Sequence, residues 1–143
     1  MEMLARMKDK IAFLMLILAL SLSIFAAGCS ATAEVQISAE DAGSTIEIQT
    51  GQVLVITLAS NPTTGYSWHV AELDESVLQL QGDPEFESES DLAGAGGAEV
   101  LRFKALAGGE TTLTLTYDRP WETDVEPLEI FNVQIVVDQL PKE

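Results

Sequence analysis

From Glu34 almost to its last residues, the chain alternates apolar and polar side chains with a period of two. Successive side chains of a strand point to opposite faces, so this spacing builds half-buried strands and cannot build amphipathic helices. The stretch "TTLTLTY" is the clearest case, with Leu113, Leu115 and Tyr117 set against three threonines. "EVLRFKAL" opposes Leu101, Phe103 and Ala105 to Arg102 and Lys104, and "LEIFNVQIVVDQ" lines up Phe131, Val133, Ile135 and Val137. "TIEIQT" places Ile46 and Ile48 on one face, and "YSWHVAEL" sets Tyr66, Trp68 and Val70 against Ser67, His69 and Ala71. "QVLVITLA" is nearly continuous apolar, as in a strand at the centre of a sandwich. Seven or eight short strands in about 110 residues predict an all-β, immunoglobulin-like antiparallel β-sandwich.

The first 28 residues read differently. Arg6, Lys8 and Lys10 precede an uncharged, mostly apolar run, Ile11 to Phe25, and small residues then lead into Cys29. That is the layout of a secretory signal, too short for a comfortable membrane span. The chain's single cysteine stands where bacterial lipoprotein signals place the residue that is lipidated, although Ala26 occupies a position that more often holds leucine. The expected organisation is a signal at 1–28, a short tether from a lipidated Cys29 at 29–33, and one β-sandwich domain at 34–143. It would lie outside the cytoplasm, anchored to a membrane. Ser30 does not resemble the aspartate that retains some lipoproteins at an inner membrane, which points to an outer membrane where one exists. If Cys29 is not lipidated, the same segment is an ordinary signal and the domain is secreted. A lone cysteine allows no internal disulfide, so the core must hold the fold.

Without residues 1–28, four basic side chains face 21 acidic ones, a net charge of −17. Nucleic-acid binding depends on cationic neutralisation of phosphate, so a DNA or RNA partner is excluded. Catalysis is equally poorly provided for. His69 is the only histidine, and zinc needs three or four close ligands that histidine and cysteine cannot supply here. The acidic run Glu85 to Asp91 has no recognisable calcium-loop spacing. No enzyme activity, metal or cofactor is expected.

Two connections, "QTGQ" and "AGGE", read as tight hairpin turns in which glycine supplies the positive backbone angle. Three others are unusual: "SNPTTGYSW", "DPEFESESDLAGAGGAE" and "YDRPWETDVEP". The predicted strands around them are 52–59, 66–72, 77–81, 98–106, 111–118 and 128–138. Successive connections in an antiparallel sandwich alternate between its two ends. An even number of strands separates each pair of these loops, so all three should gather at one tip. One of them carries an exposed-looking tryptophan, as binding tips do.

The segments "NPTTGYSW" (61–68), "GAGG" (94–97) and "YDRPWE" (117–122) resemble the three signature loops of the chagasin-like family, inhibitors of papain-type cysteine peptidases. The likeness covers about residues 34 to 139. It implies an immunoglobulin-like sandwich that blocks a papain-like cysteine peptidase reversibly and without covalent chemistry. A blunt-tipped inhibitor needs no partner subunit, so a monomer is expected. By that resemblance Asn61, Pro62, Thr63, Thr64, Gly65 and Tyr66 form a wedge over the catalytic centre. Thr63 and Thr64 stand at its crown, Asn61 and Tyr66 brace it, and Trp68 belongs to the core. Gly94, Ala95, Gly96 and Gly97 let a backbone lie close to the enzyme, and Arg119, Pro120 and Trp121 grip the other side of the cleft. Trp121 is the expected anchor. A runner-up reading of the lipid anchor is a surface lipoprotein whose sandwich binds another protein without inhibiting it. A glycan- or calcium-binding module, resting on acidic loops and scattered aromatics, ranks below both.

Overall fold

The computed structural model describes residues 33–139. The expected signal segment, Cys29 and residues 140–143 lie outside them. Nine strands are described: β1 (Glu34–Ser38), β2 (Thr45–Gln49), β3 (Val53–Ser60), β4 (Ser67–Glu72), β5 (Leu78–Leu80), β6 (Glu85–Ser88), β7 (Gly97–Ala105), β8 (Gly109–Asp118) and β9 (Glu129–Asp138). One sheet runs β1-β3-β7-β5, with β6 also on β7, and the other β2-β9-β8-β4. Their inner faces meet in a single core. Leu54, Ile56, Leu58, Leu101 and Phe103 from the first sheet pack against Leu113, Leu115, Val133 and Ile135 from the second, each no more than 2% exposed. The two-residue period placed Leu101, Phe103, Leu113, Leu115, Val133 and Ile135 inside, and Leu54, Ile56 and Leu58 come from the nearly continuous apolar stretch. Burying each such side chain contributes about 1.5–3 kcal/mol, so the scaffold needs no cross-link.

The pairing within the sheets departs from the sequence reading at four places. First, both sheets are mixed, because β1 runs parallel to β3 and β2 parallel to β9. Between β1 and β2 the chain passes from the edge of one sheet to the edge of the other. It does so through a short turn at 39–41, where the Asp41 carboxylate accepts the Ser38 amide at 2.8 Å. Alternation records which face a side chain takes and is blind to strand direction. Second, neither "QTGQ" nor "AGGE" is a hairpin: the first is a tight turn and the second a bend running into β8, and β2 and β3 pair in different sheets, as do β7 and β8. Each connection arches across the core.

Third, the acidic stretch expected as one long loop contains β6. Leu78 to Leu80 pairs with Ala105 to Phe103, and Glu85 to Ser88 then pairs with Val100 to Gly97, so β5 and β6 follow one another along the same side of β7. All four β6 residues are exposed, so backbone bonding and the Glu85–Arg102 ion pair hold it as a strand and no apolar face advertises it. Its glutamates also blunt a sheet edge that would otherwise invite another chain. Fourth, Val70 does not join Trp68 inside. The β4 register shifts between Val70 and Glu72, and Val70 is 37% exposed.

Register places the three unusual connections. Ser60 lies opposite Gly97, and Gly97 opposite Ser88, in the first sheet. In the second, Ser67 lies opposite Asp118, and Tyr117 opposite Glu129. The 61–66 connection joins Ser60 to Ser67, so the loops at 61–66, 89–96 and 119–128 all leave from one end of the sandwich.

Candidate functional site

At the first loop, Pro62 to Thr64 form a single 3-10 turn, begun by Asn61 and closed by Gly65. The Asn61 carboxamide oxygen accepts from the Thr63 amide at 3.2 Å and from the Thr63 hydroxyl at 2.6 Å. The Thr64 hydroxyl donates to the Asn61 carbonyl at 2.6 Å. Gly65 sits at φ 82°, a left-handed angle that a side chain rarely tolerates, and its amide bonds back to the Pro62 carbonyl. The small polar side chains thus lace the loop into one shape. Both threonine hydroxyls spend their protons within the loop, and Thr64 Oγ1 also accepts the Tyr66 amide at 3.4 Å, so what they can still offer a partner is acceptor lone pairs.

Cross-links then tie this loop to its neighbours. The Asn61 side-chain amide donates to the Gly94 carbonyl of the second loop at 3.4 Å. Arg119 Nε donates to the Thr64 carbonyl at 3.0 Å while its Nη1 pairs with Glu122 at 3.0 Å. The guanidinium also lies 4.4 Å above the Tyr66 ring, a cation–π contact. The Trp121 indole covers Gly65 so closely that a Cβ there would collide with it. Trp121 nonetheless remains 65% exposed.

Beneath the loops stands an aromatic pillar: Tyr66 on Tyr117 at 5.4 Å and Tyr117 on Trp68 at 5.1 Å between ring centroids. The Tyr117 hydroxyl accepts the Asn61 amide at 2.9 Å. Trp68 is buried and binds both sheets, its indole donating to the Ala59 carbonyl at 3.0 Å and its amide to the buried Glu99 carboxylate at 2.9 Å. Glu99 escapes a motif-based search, and Tyr117, although it opens the "YDRPWE" segment, has no part in the site expected from sequence. The signal available for Tyr117 was an aromatic ending the strand that leads into "DRPW".

Asn61, Pro62, Thr63, Thr64, Gly65, Tyr66, Gly94, Ala95, Gly96, Arg119, Pro120 and Trp121 therefore lie on loops at one end. Gly97 does not. It is buried within β7, where a Cβ would run into the Glu87 carbonyl of the neighbouring strand, so its smallness serves sheet packing and not a surface contact. Arg119, expected to reach outward, is held between the first and third loops as a strut.

The model of the "Chagasin family peptidase inhibitor I42" matches residues 47–135, a span that runs from β2 to β9 and includes all three loops. The chain belongs to the chagasin family. Chagasin from Trypanosoma cruzi is 34% identical over 98 residues, covering 65% of this chain and 88% of chagasin. Amoebiasin-2 from Entamoeba histolytica is 30% identical over 100 residues, covering 66% of this chain and 77% of that protein. Among solved structures, the cysteine protease inhibitor EhICP2 from Entamoeba histolytica aligns with a TM-score of 0.64 at 26% identity, over 73% of this chain and 95% of that one. The chagasin family is one of peptidase inhibitors, which are not enzymes.

One arrangement in this chagasin-family chain invites the opposite reading. Ser67 Oγ lies 2.9 Å from His69 Nε2, and Asp118 lies 3.7 Å from the same nitrogen. A hydrolytic triad needs serine on one ring nitrogen and the carboxylate on the other, so that the acid fixes the tautomer that accepts the serine proton. Here both approach Nε2, and no relay results. The bracing of the loop is open to test. Asn61→Ala removes the acceptor that ends the Thr63 amide's exposure, and about 1 kcal/mol of loop stability should go with it. Amide hydrogen exchange should accelerate at Thr63 and Thr64 while core amides of β8 stay unchanged.

Proposed function

We propose that the three-loop tip inhibits papain-type cysteine peptidases by filling the active-site cleft, reversibly and one to one. The observation that carries this reading is the direct tie between the loops: Arg119 to Thr64, Asn61 to Gly94, and Trp121 over Gly65. A papain-type cleft is a groove with a thiolate–imidazole pair at its floor, built for an extended substrate. A pre-shaped turn with small threonines at its crown enters such a groove without offering a peptide bond in attack geometry. Its remaining acceptors suit the donors found there, an imidazolium and the N–H groups that stabilise an oxyanion. Because the loop is ordered before binding, less conformational entropy is lost on association. The relatives' names support this class of target, EhICP2 being a cysteine protease inhibitor. Family membership favours inhibition over a non-inhibitory surface lipoprotein.

Gly94 to Gly96 would lie along one side of the cleft and Trp121 against the other. Purified residues 30–143 should inhibit papain or a cathepsin-L-like peptidase competitively with substrate. A folded domain without effect at micromolar concentration would refute the reading.

The N-terminal pattern adds a place of action. Lipidation at Cys29 would hold the inhibitor at a membrane outside the cytoplasm, an outer membrane where one exists, guarding the cell against its own or foreign peptidases. In cells, Cys29→Ser is expected to move the protein from the membrane to the soluble fraction and to abolish labelling by a fatty-acid analogue. Unchanged membrane association would remove the tether from the account.

A further inference from the structure

Behind the first loop a cleft of about 320 Å³ opens between the two sheets; Asn61 and Gly96 of the inhibitory loops form part of its wall, but its acidic lining has been given no role. Ser60, Asn61, Glu89, Gly96, Tyr117 and Glu129 line it. Three observations define its chemistry. Glu89 and Glu129 bring two carboxylates that make no hydrogen bond or ion pair among the described residues. The Ser60 hydroxyl is buried, 5% exposed as a residue, with no hydrogen-bond partner. The Tyr117 oxygen accepts the Asn61 amide and keeps its own proton uncommitted.

No cation of the described chain answers these acids. Arg102 is paired with Glu85 and Arg119 with Glu122, while Lys104 lies on β7 opposite Val53, at the far end of the sandwich. A native structure leaves few buried polar groups unpaired, and an unpaired hydroxyl in the wall of a cleft that two free carboxylates also line marks a place that something else completes. The size selects the occupant. The volume is at the bottom of the range for small-molecule sites, adequate for one inserted side chain and too small for a cofactor. The charge selects it further: two carboxylates and two hydroxyls suit a flat cation with several N–H donors.

We propose that this cleft is a socket for a basic side chain, an arginine above all, presented by the rim of the target peptidase. The inference rests on the inhibitor reading and sharpens it. The three loops occupy the catalytic groove, and the socket selects, among peptidases of one fold, those with a cation facing Glu89 and Glu129. A surface with net charge −16 in the whole chain would also draw such an enzyme in, and the socket is where that attraction becomes a specific contact.

The test has two arms, both on the folded domain. In the first, ethylguanidinium and its neutral isostere ethylurea are titrated separately while amide resonances are followed by NMR. Saturable shifts at Ser60, Asn61, Gly96 and Gly97 are expected with the cation, absent with ethylurea and absent in E89Q/E129Q. No saturable shift, or equal response to both probes, overturns the socket whatever the protein does to peptidases. In the second, E89Q/E129Q is compared with E47Q/E110Q, which makes the same charge change at the far end. Against at least one papain-type peptidase that the wild type inhibits, E89Q/E129Q should weaken inhibition by about tenfold or more beyond the control, chiefly through faster dissociation. Equal inhibition constants against every such enzyme overturn the socket as a peptidase contact and leave the inhibitor reading standing. A wild type that inhibits none defeats the inhibitor reading, and with it the peptidase as occupant.

Discussion

Trp121→Ala is expected to weaken inhibition of a papain-type peptidase by about 2 kcal/mol or more, roughly 30-fold in the inhibition constant. The side chain is 65% exposed, lies outside the core and rests one edge of its indole on Gly65. A large rigid aromatic in that position desolvates much area for the loss of two torsional freedoms, which is why such residues dominate interface energetics. Exposure also separates the effect from folding. A surface substitution away from core, caps and buried pairs shifts stability by about 0.5 kcal/mol at most, so thermal denaturation should be nearly unchanged. Inhibition kinetics and a melting curve on the same preparation decide the matter. An unaltered constant would mean that Trp121 is not an anchor.

Gly65→Ala should do comparable damage by another route. The residue sits at φ 82°, where an L side chain costs about 1–2 kcal/mol, and its Cβ would occupy space held by the Trp121 indole. The substitution therefore both strains the turn that carries Thr63 and Thr64 and displaces the anchor of the third loop. We expect inhibition to weaken by about 2–3 kcal/mol in total. The two routes are separable by a double-mutant cycle. In the Trp121→Ala background the collision is gone, so Gly65→Ala should cost about 1 kcal/mol less than in the wild type. Additivity would show that the two loops do not act as one surface.

How far the sequence carried the fold depends on which physical effect wrote each feature. Side-chain partition between core and solvent is local, and it repeats every second residue, so Leu113, Leu115, Phe131 and Ile135 declared their faces plainly. Strand direction leaves no such trace, and the parallel pairings of β1 and β2 were invisible for that reason. Strand β6 escaped because its residues stay exposed, held by the backbone of β7 and by the Glu85–Arg102 ion pair and not by an apolar face.

The site divides in the same way. Proline, glycine and tryptophan at unusual connections showed which loops matter, and counting strands placed them at one end. That Asn61 braces the loop and Trp68 enters the core followed from the family resemblance. The partners they bind, and the inward turn of Arg119, were not legible, since those partners are distant in sequence. Arg119 bonds to Thr64, Asn61 to Gly94 and Trp68 to Glu99. Gly97 shows the converse: a motif glycine whose neighbour across the sheet, and not an enzyme, requires it to be small.

The most direct test of occlusion compares one peptidase in two states by calorimetry: papain with an open cleft, and papain whose catalytic thiolate already carries a covalent substrate mimic. The domain should bind the open enzyme one to one, and the filled enzyme not at all or far more weakly. Equal affinity for both would place the contact away from the cleft and contradict the account.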